Sequence, residues 1–108
     1  MRQRQVLTER QTQQRWEQAQ RLAREAAQRL REEFDARCVV LFGSAVKQSS
    51  FTRWPDVDLA AWGISPERFY AAVAAVTSLS TEIAVDLVDP SECPAAPQTV
   101  IEREGIEL

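Results

Sequence analysis

VVLFGSAVKQSSFTRWPDVDLAAW, residues 39–62, is the stretch that decides the fold, because two apolar strand candidates flank a polar loop within it. Asp56 and Asp58 stand at the start of the second candidate, DVDLAAW. Alternate residues of a strand share a face, so we expect both carboxylates to point the same way. Neighbouring carboxylates repel each other unless water, a proton or a cation separates them. The pair therefore indicates either a solvated strand end or a metal site.

Two further segments resemble strands. RCVVLFG is rich in β-branched residues and stops at Gly43, which predicts a strand buried on both faces, and SAVKQ predicts one helical turn starting at Ser44. EIAVDLVD predicts a third strand with one apolar face, formed by Ile83, Val85 and Leu87. Asp86 lies on the other face, between Ala84 and Val88, where an unpaired buried carboxylate is costly.

Helical patterns surround these strands. Thr8 and Gln11 form a capping-box pattern at the start of a long helix that ends near Asp35. Its apolar stripe is Trp16, Ala19, Leu22, Ala23, Ala26, Ala27, Leu30 and Phe34. Ser-Pro-Glu at 65–67 begins a second helix, whose inner stripe is Phe69, Ala72, Val73, Val76 and Leu79. QTVIEREG predicts a short third helix stopped by Gly105, with IEL as a tail.

This order of elements predicts an α/β (α+β) fold, a small mixed sheet of three to four strands flanked by helices. The 108 residues, 44% of them hydrophobic and 27% charged, predict one globular domain spanning 1–108. Cys38 is expected in the core, and Cys93 lies in a Pro-rich loop. The sequence contains neither an apolar run of roughly 18 residues nor a secretory signal, so the cytoplasm is the expected compartment.

Charge and histidine content restrict the chemistry. The chain contains no histidine, which excludes Ser-His-Asp and Cys-His catalysis and most zinc enzymes. Residues 1–37 carry nine arginines against six acids, whereas 38–108 carry four basic residues against ten acids. An acidic body disfavours nucleic-acid binding and suits a divalent cation. The arginine face of the first helix, including Arg21, Arg24 and Arg31, is interpreted as solvated, with a partner surface as the alternative.

Three carboxylates converge if the second and third predicted strands are neighbours: Asp56, Asp58 and Asp86. Such a set without histidine suits magnesium or manganese. Two cations about 4 Å apart can align a hydroxyl with a leaving pyrophosphate. Gly43 after a strand lets backbone approach a phosphate, and Ser44 adds a hydroxyl donor. The combination predicts the handling of a nucleoside triphosphate.

These residues resemble those of the minimal nucleotidyltransferase family of the DNA polymerase β superfamily, whose members are commonly antitoxins of HEPN-domain toxins. The resemblance lies in Gly43-Ser44, eleven intervening residues, Asp56-Val57-Asp58 and the later Asp86, and it extends over nearly the whole chain. It implies that the Gly-Ser pair grips the triphosphate of ATP and that the paired aspartates ligate Mg²⁺ or Mn²⁺. The third carboxylate then helps to activate the attacking hydroxyl.

The chain also departs from the family pattern. Ala45, Val46 and Lys47 stand where arginine and glycine are usual, Pro55 replaces a serine, and the loop is one residue longer. Two interpretations of Lys47 and Arg53 are equally compatible with the sequence: one of them replaces the missing cationic contact to the phosphates, or both are simply solvated. Both an active enzyme and a binding-only descendant are therefore compatible with the sequence.

Family resemblance also implies a function. The chain has no further domain to hold an acceptor, so the expected activity is Mg²⁺-dependent transfer of AMP from ATP to a HEPN-type toxin in a hetero-oligomer. The alternative is a non-catalytic antitoxin that binds and neutralises the toxin. An oligomeric small-molecule nucleotidyltransferase and an RNA-binding module are weaker alternatives. Asp89 is expected to cap a strand end or a helix.

Overall fold

The computed structural model describes residues 9–46, 56–92, 101 and 103–108. The helices and strands are α1 (Glu9–Phe34), β1 (Cys38–Phe42), β2 (Asp56–Trp62), α2 (Pro66–Thr77), β3 (Ala84–Val88) and β4 (Ile106–Glu107). Short 3-10 turns, Gly43–Val46 and Pro90–Glu92, follow β1 and β3. The roles predicted for Thr8, Lys47, Arg53, Pro55 and Cys93 lie outside the described residues. Of the predicted QTVIEREG helix, Ile101, Arg103 and Glu104 are helical and the Gly105 N–H donates to the Ile101 carbonyl at 2.9 Å, whereas 98–100 and 102 lie outside the described residues.

The four strands form one mixed sheet in the order β3-β2-β1-β4. β2 and β3 are parallel, whereas β1 is antiparallel to both β2 and β4. The predicted fold class, a small mixed sheet with helices, is confirmed. The prediction of IEL as a tail is wrong, because Ile106–Glu107 pairs with β1 and the Leu108 N–H donates to the Val39 carbonyl at 2.8 Å.

α1 and α2 pack on the same face of the sheet and form one layer over it. The core of α1 is Ala19, Leu22, Ala23, Ala26, Ala27, Leu30 and Phe34, as its apolar stripe predicts, and α2 adds Ala72 and Val76. They pack against Ile83, which precedes β3, and against alternate strand residues: Val39, Leu41, Val57, Leu59, Ala61, Val85 and Leu87. We call the opposite face of the sheet, turned away from α1 and α2, the far face.

β1 does not have the burial that its sequence predicts. Val39 and Leu41 are fully buried, but Cys38, Val40 and Phe42 point to the far face and are only half-buried. The expectations of a strand buried on both faces and of a core Cys38 are therefore wrong. An apolar run shows that both faces can be covered, and here the helices cover one. Burial and the neighbouring Glu107 carboxylate raise the pKa of the Cys38 thiol.

The second helix starts where the sequence predicts. Ser65 has an extended backbone, with φ −65° and ψ 147°, and Pro66 takes the first helical position. The Ser65 side chain makes no capping hydrogen bond, so only the backbone part of the predicted cap is present. The fixed φ of proline at the first helical turn is sufficient to define this start.

Arg68 of α2 joins the second helix to the C-terminal end of α1. Its guanidinium donates to Asp35 Oδ2 at 3.2 Å and to the Glu33 carbonyl, and its central carbon lies 5.1 Å from the centre of the Phe34 ring. Asp35 adopts a left-handed conformation, with φ 61°, directly after α1. A cation at this position also favours the negative end of the α1 dipole.

Replacing Arg68 with alanine is expected to lower the free energy of unfolding by about 1–2 kcal/mol, because the carbonyl, carboxylate and ring contacts are lost together. Asp35→Asn removes only the carboxylate charge at a position that is 82% exposed, and we expect it to cost less than about 0.5 kcal/mol. Urea unfolding of the two variants beside wild type measures the difference. Equal losses from both variants would show that the ion pair, rather than the whole junction, matters.

Candidate active site

Asp58 and Asp86 are direct neighbours across the parallel strands β2 and β3. The register pairs Asp58 with Asp86 and Asp56 with Ala84. Register partners in a sheet project to the same side, and Asp56 shares that side because it lies two residues before Asp58. The three carboxylates predicted from the sequence therefore lie on one face of the sheet, the far face.

Asp58 is the most enclosed of the three aspartates. It is half-buried, whereas Asp56 and Asp86 are exposed. Burial raises the pKa of Asp58, and the charges of Asp86 and then Asp56 raise it further. Each of these causes disfavours a negative charge at this position. Asp58 is thus the carboxylate at which a bound cation would relieve the largest penalty.

Asp86 does not carry the burial cost expected from its apolar neighbours. The side chain is exposed, and so is that of Ala84 two residues earlier on the same face. Water can therefore solvate the Asp86 carboxylate, and the apolar flanks alone do not require a ligand. What marks Asp86 is its position beside Asp58, which comes from the strand pairing.

Gly43 brings the backbone of the first 3-10 turn against the Asp58 carboxylate. Phe42 pairs with Asp58 across β1 and β2, and Gly43 follows with a φ of 80°. A Cβ atom built on Gly43 would overlap Asp58 Oδ2 and would stand 3.3 Å from Asp58 Cγ. Ser44 belongs to the same turn, Gly43–Val46, and its side chain lies outside the described residues. The Gly-Ser segment and the aspartates therefore meet at one end of β2.

The three aspartates match a hard cation in chemistry but do not form a closed ligand set. Within the described part of the chain, no group of three or more histidine, cysteine, aspartate or glutamate side chains is placed to hold a metal ion. Carboxylate oxygens are the ligands that Mg²⁺ and Mn²⁺ prefer. Binding would require rotation of the exposed Asp56 and Asp86 side chains about their staggered torsions.

Asp89 has the capping role that its sequence position predicts. Its Oδ1 accepts hydrogen bonds from the Ser91 backbone N–H at 3.0 Å and from Ser91 Oγ at 2.6 Å. These contacts fix the start of the 3-10 turn Pro90–Glu92. Asp89 is thus occupied locally and belongs to the strand end.

A scan against protein-family models and a search of curated proteins find no match to this chain. The likeness to minimal nucleotidyltransferases therefore rests on the residues of the chain itself. Among the helices of the described ranges, none combines the length and apolar character needed to cross a membrane.

Asp58→Asn is expected to raise the free energy of unfolding of the metal-free protein at neutral pH. The pKa of Asp58 is raised in the folded state, so folding disfavours its charged form. The full free-energy cost of the charged form is present above the folded-state pKa of Asp58. The cost disappears as the pH falls through that pKa towards 3.8, the ordinary pKa of aspartate. Wild type should therefore lose stability relative to Asp58→Asn as the pH rises through this window.

Urea unfolding of both proteins at a series of pH values measures this difference. Asp86→Asn serves as a control, because it leaves Asp58 ionisable and removes one repelling neighbour, which brings the pKa of Asp58 closer to its ordinary value. A constant difference between wild type and Asp58→Asn at all pH values would contradict the expectation, as would a less stable Asp58→Asn.

Proposed function

We propose that the chain is a Mg²⁺- or Mn²⁺-dependent nucleotidyltransferase that transfers AMP from ATP to a partner protein in the cytoplasm. The observation that supports this most is the placement of Asp58, which neighbours Asp86 in register and fills the space in which a side chain at position 43 would stand. A carboxylate pair beside a glycine turn is the arrangement needed to bring a cation and a triphosphate together. The family resemblance makes the partner a HEPN-type toxin and the chain its antitoxin.

The proposed reaction divides the work among residues of β2, β3 and the glycine turn. Asp56, Asp58 and Asp86 would hold the cation, which would supply positive charge to the phosphate oxygens. Gly43 and Ser44 contact the triphosphate, with Lys47 as an added positive charge. A hydroxyl oxygen of the partner forms a bond to the α-phosphorus of ATP, and the bond from that phosphorus to pyrophosphate breaks. Asp86, which is exposed, accepts the hydroxyl proton.

The acceptor is assigned to a partner because the aspartates lie on an accessible face. Asp56 and Asp86 are both exposed on the far face. A hydroxyl carried by another protein can approach Asp86 from this side. A hetero-oligomer therefore completes the proposed active site.

AMP transfer can be tested with ATP labelled at the α-phosphate. The substrate to be used in this assay is the protein encoded by the neighbouring reading frame, co-purified with the chain. We expect label on the partner only when the chain and Mg²⁺ are both present. Label on neither protein, with an intact complex, would contradict the enzymatic proposal.

A non-catalytic antitoxin is the second candidate. It is favoured by the lack of a closed ligand set in the described residues and by the departures at Ala45, Val46 and Pro55. A binder of this kind neutralises the partner without transferring AMP. Partner neutralisation measured beside the labelling assay therefore separates the two candidates.

A further inference from the structure

The Asp58 side chain fills the space in which a side chain at position 43 would stand, and this gives the glycine a second role. We propose that Gly43 is a positioning residue for the Asp58 carboxylate, because the volume that a side chain at position 43 would need is filled by that carboxylate. The inference rests on the proposed function only in linking Asp58 to a cation. A glycine that served only to let a phosphate approach the backbone would need open space beside it. It would not need the Asp58 side chain to fill that space.

Three atoms of Asp58 define the contact. A Cβ built on Gly43 overlaps Oδ2, lies 3.3 Å from Cγ and lies 3.4 Å from Cβ of Asp58. The aspartate side chain is therefore packed along the glycine over its whole length. The antiparallel pairing of Phe42 with Asp58 produces this arrangement, because the next residue turns over the strand at the same level.

An added methyl group at position 43 can be accommodated by moving either the aspartate or the turn. Rotation about one side-chain torsion moves the Asp58 carboxylate, whereas displacement of the turn also strains β1, to which it is attached. The rotation moves the Asp58 carboxylate out of the space that it fills beside Gly43. We therefore expect Gly43→Ala to change the Asp58 rotamer and to weaken cation binding.

Gly63 offers a matched control for the backbone strain. It has a φ of 97°, and a Cβ there would stand 2.9 Å from Arg37 Cγ and 3.0 Å from the Arg37 backbone nitrogen. Gly63 follows the far end of β2, remote from Asp58 along the strand. Gly63→Ala therefore adds a methyl group and left-handed strain of the same kind without touching the aspartate.

The experiment compares wild type, Gly43→Ala and Gly63→Ala in two measurements. NMR scalar couplings give the Asp58 side-chain torsion in the metal-free protein, and a titration with Mn²⁺ gives cation affinity. We expect one shared Asp58 rotamer in wild type and Gly63→Ala, and a different or averaged rotamer in Gly43→Ala. Mn²⁺ affinity should fall about tenfold or more in Gly43→Ala, as for loss of a residue that orients a ligand.

The torsion measurement decides the positioning role, and the titration decides its link to the cation. An unchanged Asp58 rotamer in Gly43→Ala overturns the proposal. A changed rotamer in a protein whose wild type binds no Mn²⁺ supports the positioning role and counts against the proposed function. If Gly43→Ala does not fold, Gly43→Asn places the same Cβ with a residue that tolerates positive φ better, and the same outcomes apply.

Discussion

Asp58→Asn is expected to abolish AMP transfer to the partner while leaving the fold intact. Asparagine keeps the shape of the side chain but removes the anionic ligand, and phosphoryl transfer depends on charge held at the metal site. Asp58 is half-buried and pairs with Asp86 in register, so the change removes the most enclosed of the three carboxylates. Asp56→Asn should have the same effect, since Asp56 supplies the second carboxylate on β2. The measurement is labelling of the co-purified partner from α-labelled ATP.

The other two site variants should fail in different ways. Asp86→Asn should reduce the rate more than ATP binding, because its proposed task is to accept the proton of the attacking hydroxyl. Ser44→Ala should mainly weaken ATP binding, by about 1 kcal/mol or somewhat more, through loss of one hydrogen bond to a charged phosphate.

Asp89→Asn is the matched control for these variants. Asp89 is a nearby aspartate whose Oδ1 bonds only to Ser91 in the hydrogen bonds described, and asparagine can keep that cap. Its transfer activity should equal that of wild type. If wild type transfers no AMP and every variant neutralises the partner equally well, the binding antitoxin is the correct function.

Leu59→Ala is expected to cost about 2–5 kcal/mol of unfolding free energy, which is the range for a buried leucine that leaves a cavity. Leu59 is 0% exposed on β2 and packs in the core beneath α1 and α2, one residue beyond Asp58. The loss is a large part of the roughly 5–15 kcal/mol that stabilises a typical domain. The melting temperature should fall by on the order of 10 °C for a chain of this size.

Tyr70→Ala provides the comparison for Leu59→Ala. It deletes a larger side chain, but Tyr70 is 84% exposed on α2, so the change should stay within about 0.5 kcal/mol. Calorimetric melts of both variants beside wild type measure the contrast. A Leu59→Ala variant as stable as Tyr70→Ala would show that β2 does not lie beneath the two helices.

Long periodic segments and strong stop signals make α1, β1, β2, α2 and β3 predictable. The apolar stripe defines α1, Gly43 and Gly63 end the first two strands, and Pro66 starts α2. β4 was missed because its two residues are too short to show a period and it exists through pairing with β1. Local sequence carries no signal for such a tertiary contact.

The candidate site was predictable only in part. Alternation along β2 places Asp56 and Asp58 on one face, and this follows from the sequence. Asp86 lies beside Asp58 because β2 and β3 pair in parallel, and the sequence alone does not specify that pairing. The exposure of Asp86 depends on which face of the sheet α1 and α2 cover. The contact of Gly43 with Asp58 arises from the antiparallel register of β1 and β2, which no local pattern specifies.

A titration of the metal-free chain with Mn²⁺, followed by the electron paramagnetic resonance signal of the free ion, tests the proposed cation site most directly. Wild type should bind Mn²⁺ saturably, and a non-hydrolysable ATP analogue should tighten the binding. Asp58→Asn should lose this binding, because Asp58 pairs with Asp86 in register and its carboxylate experiences the charges of both Asp86 and Asp56. Identical titration curves for wild type and Asp58→Asn, with and without the analogue, would contradict a cation site at these three aspartates.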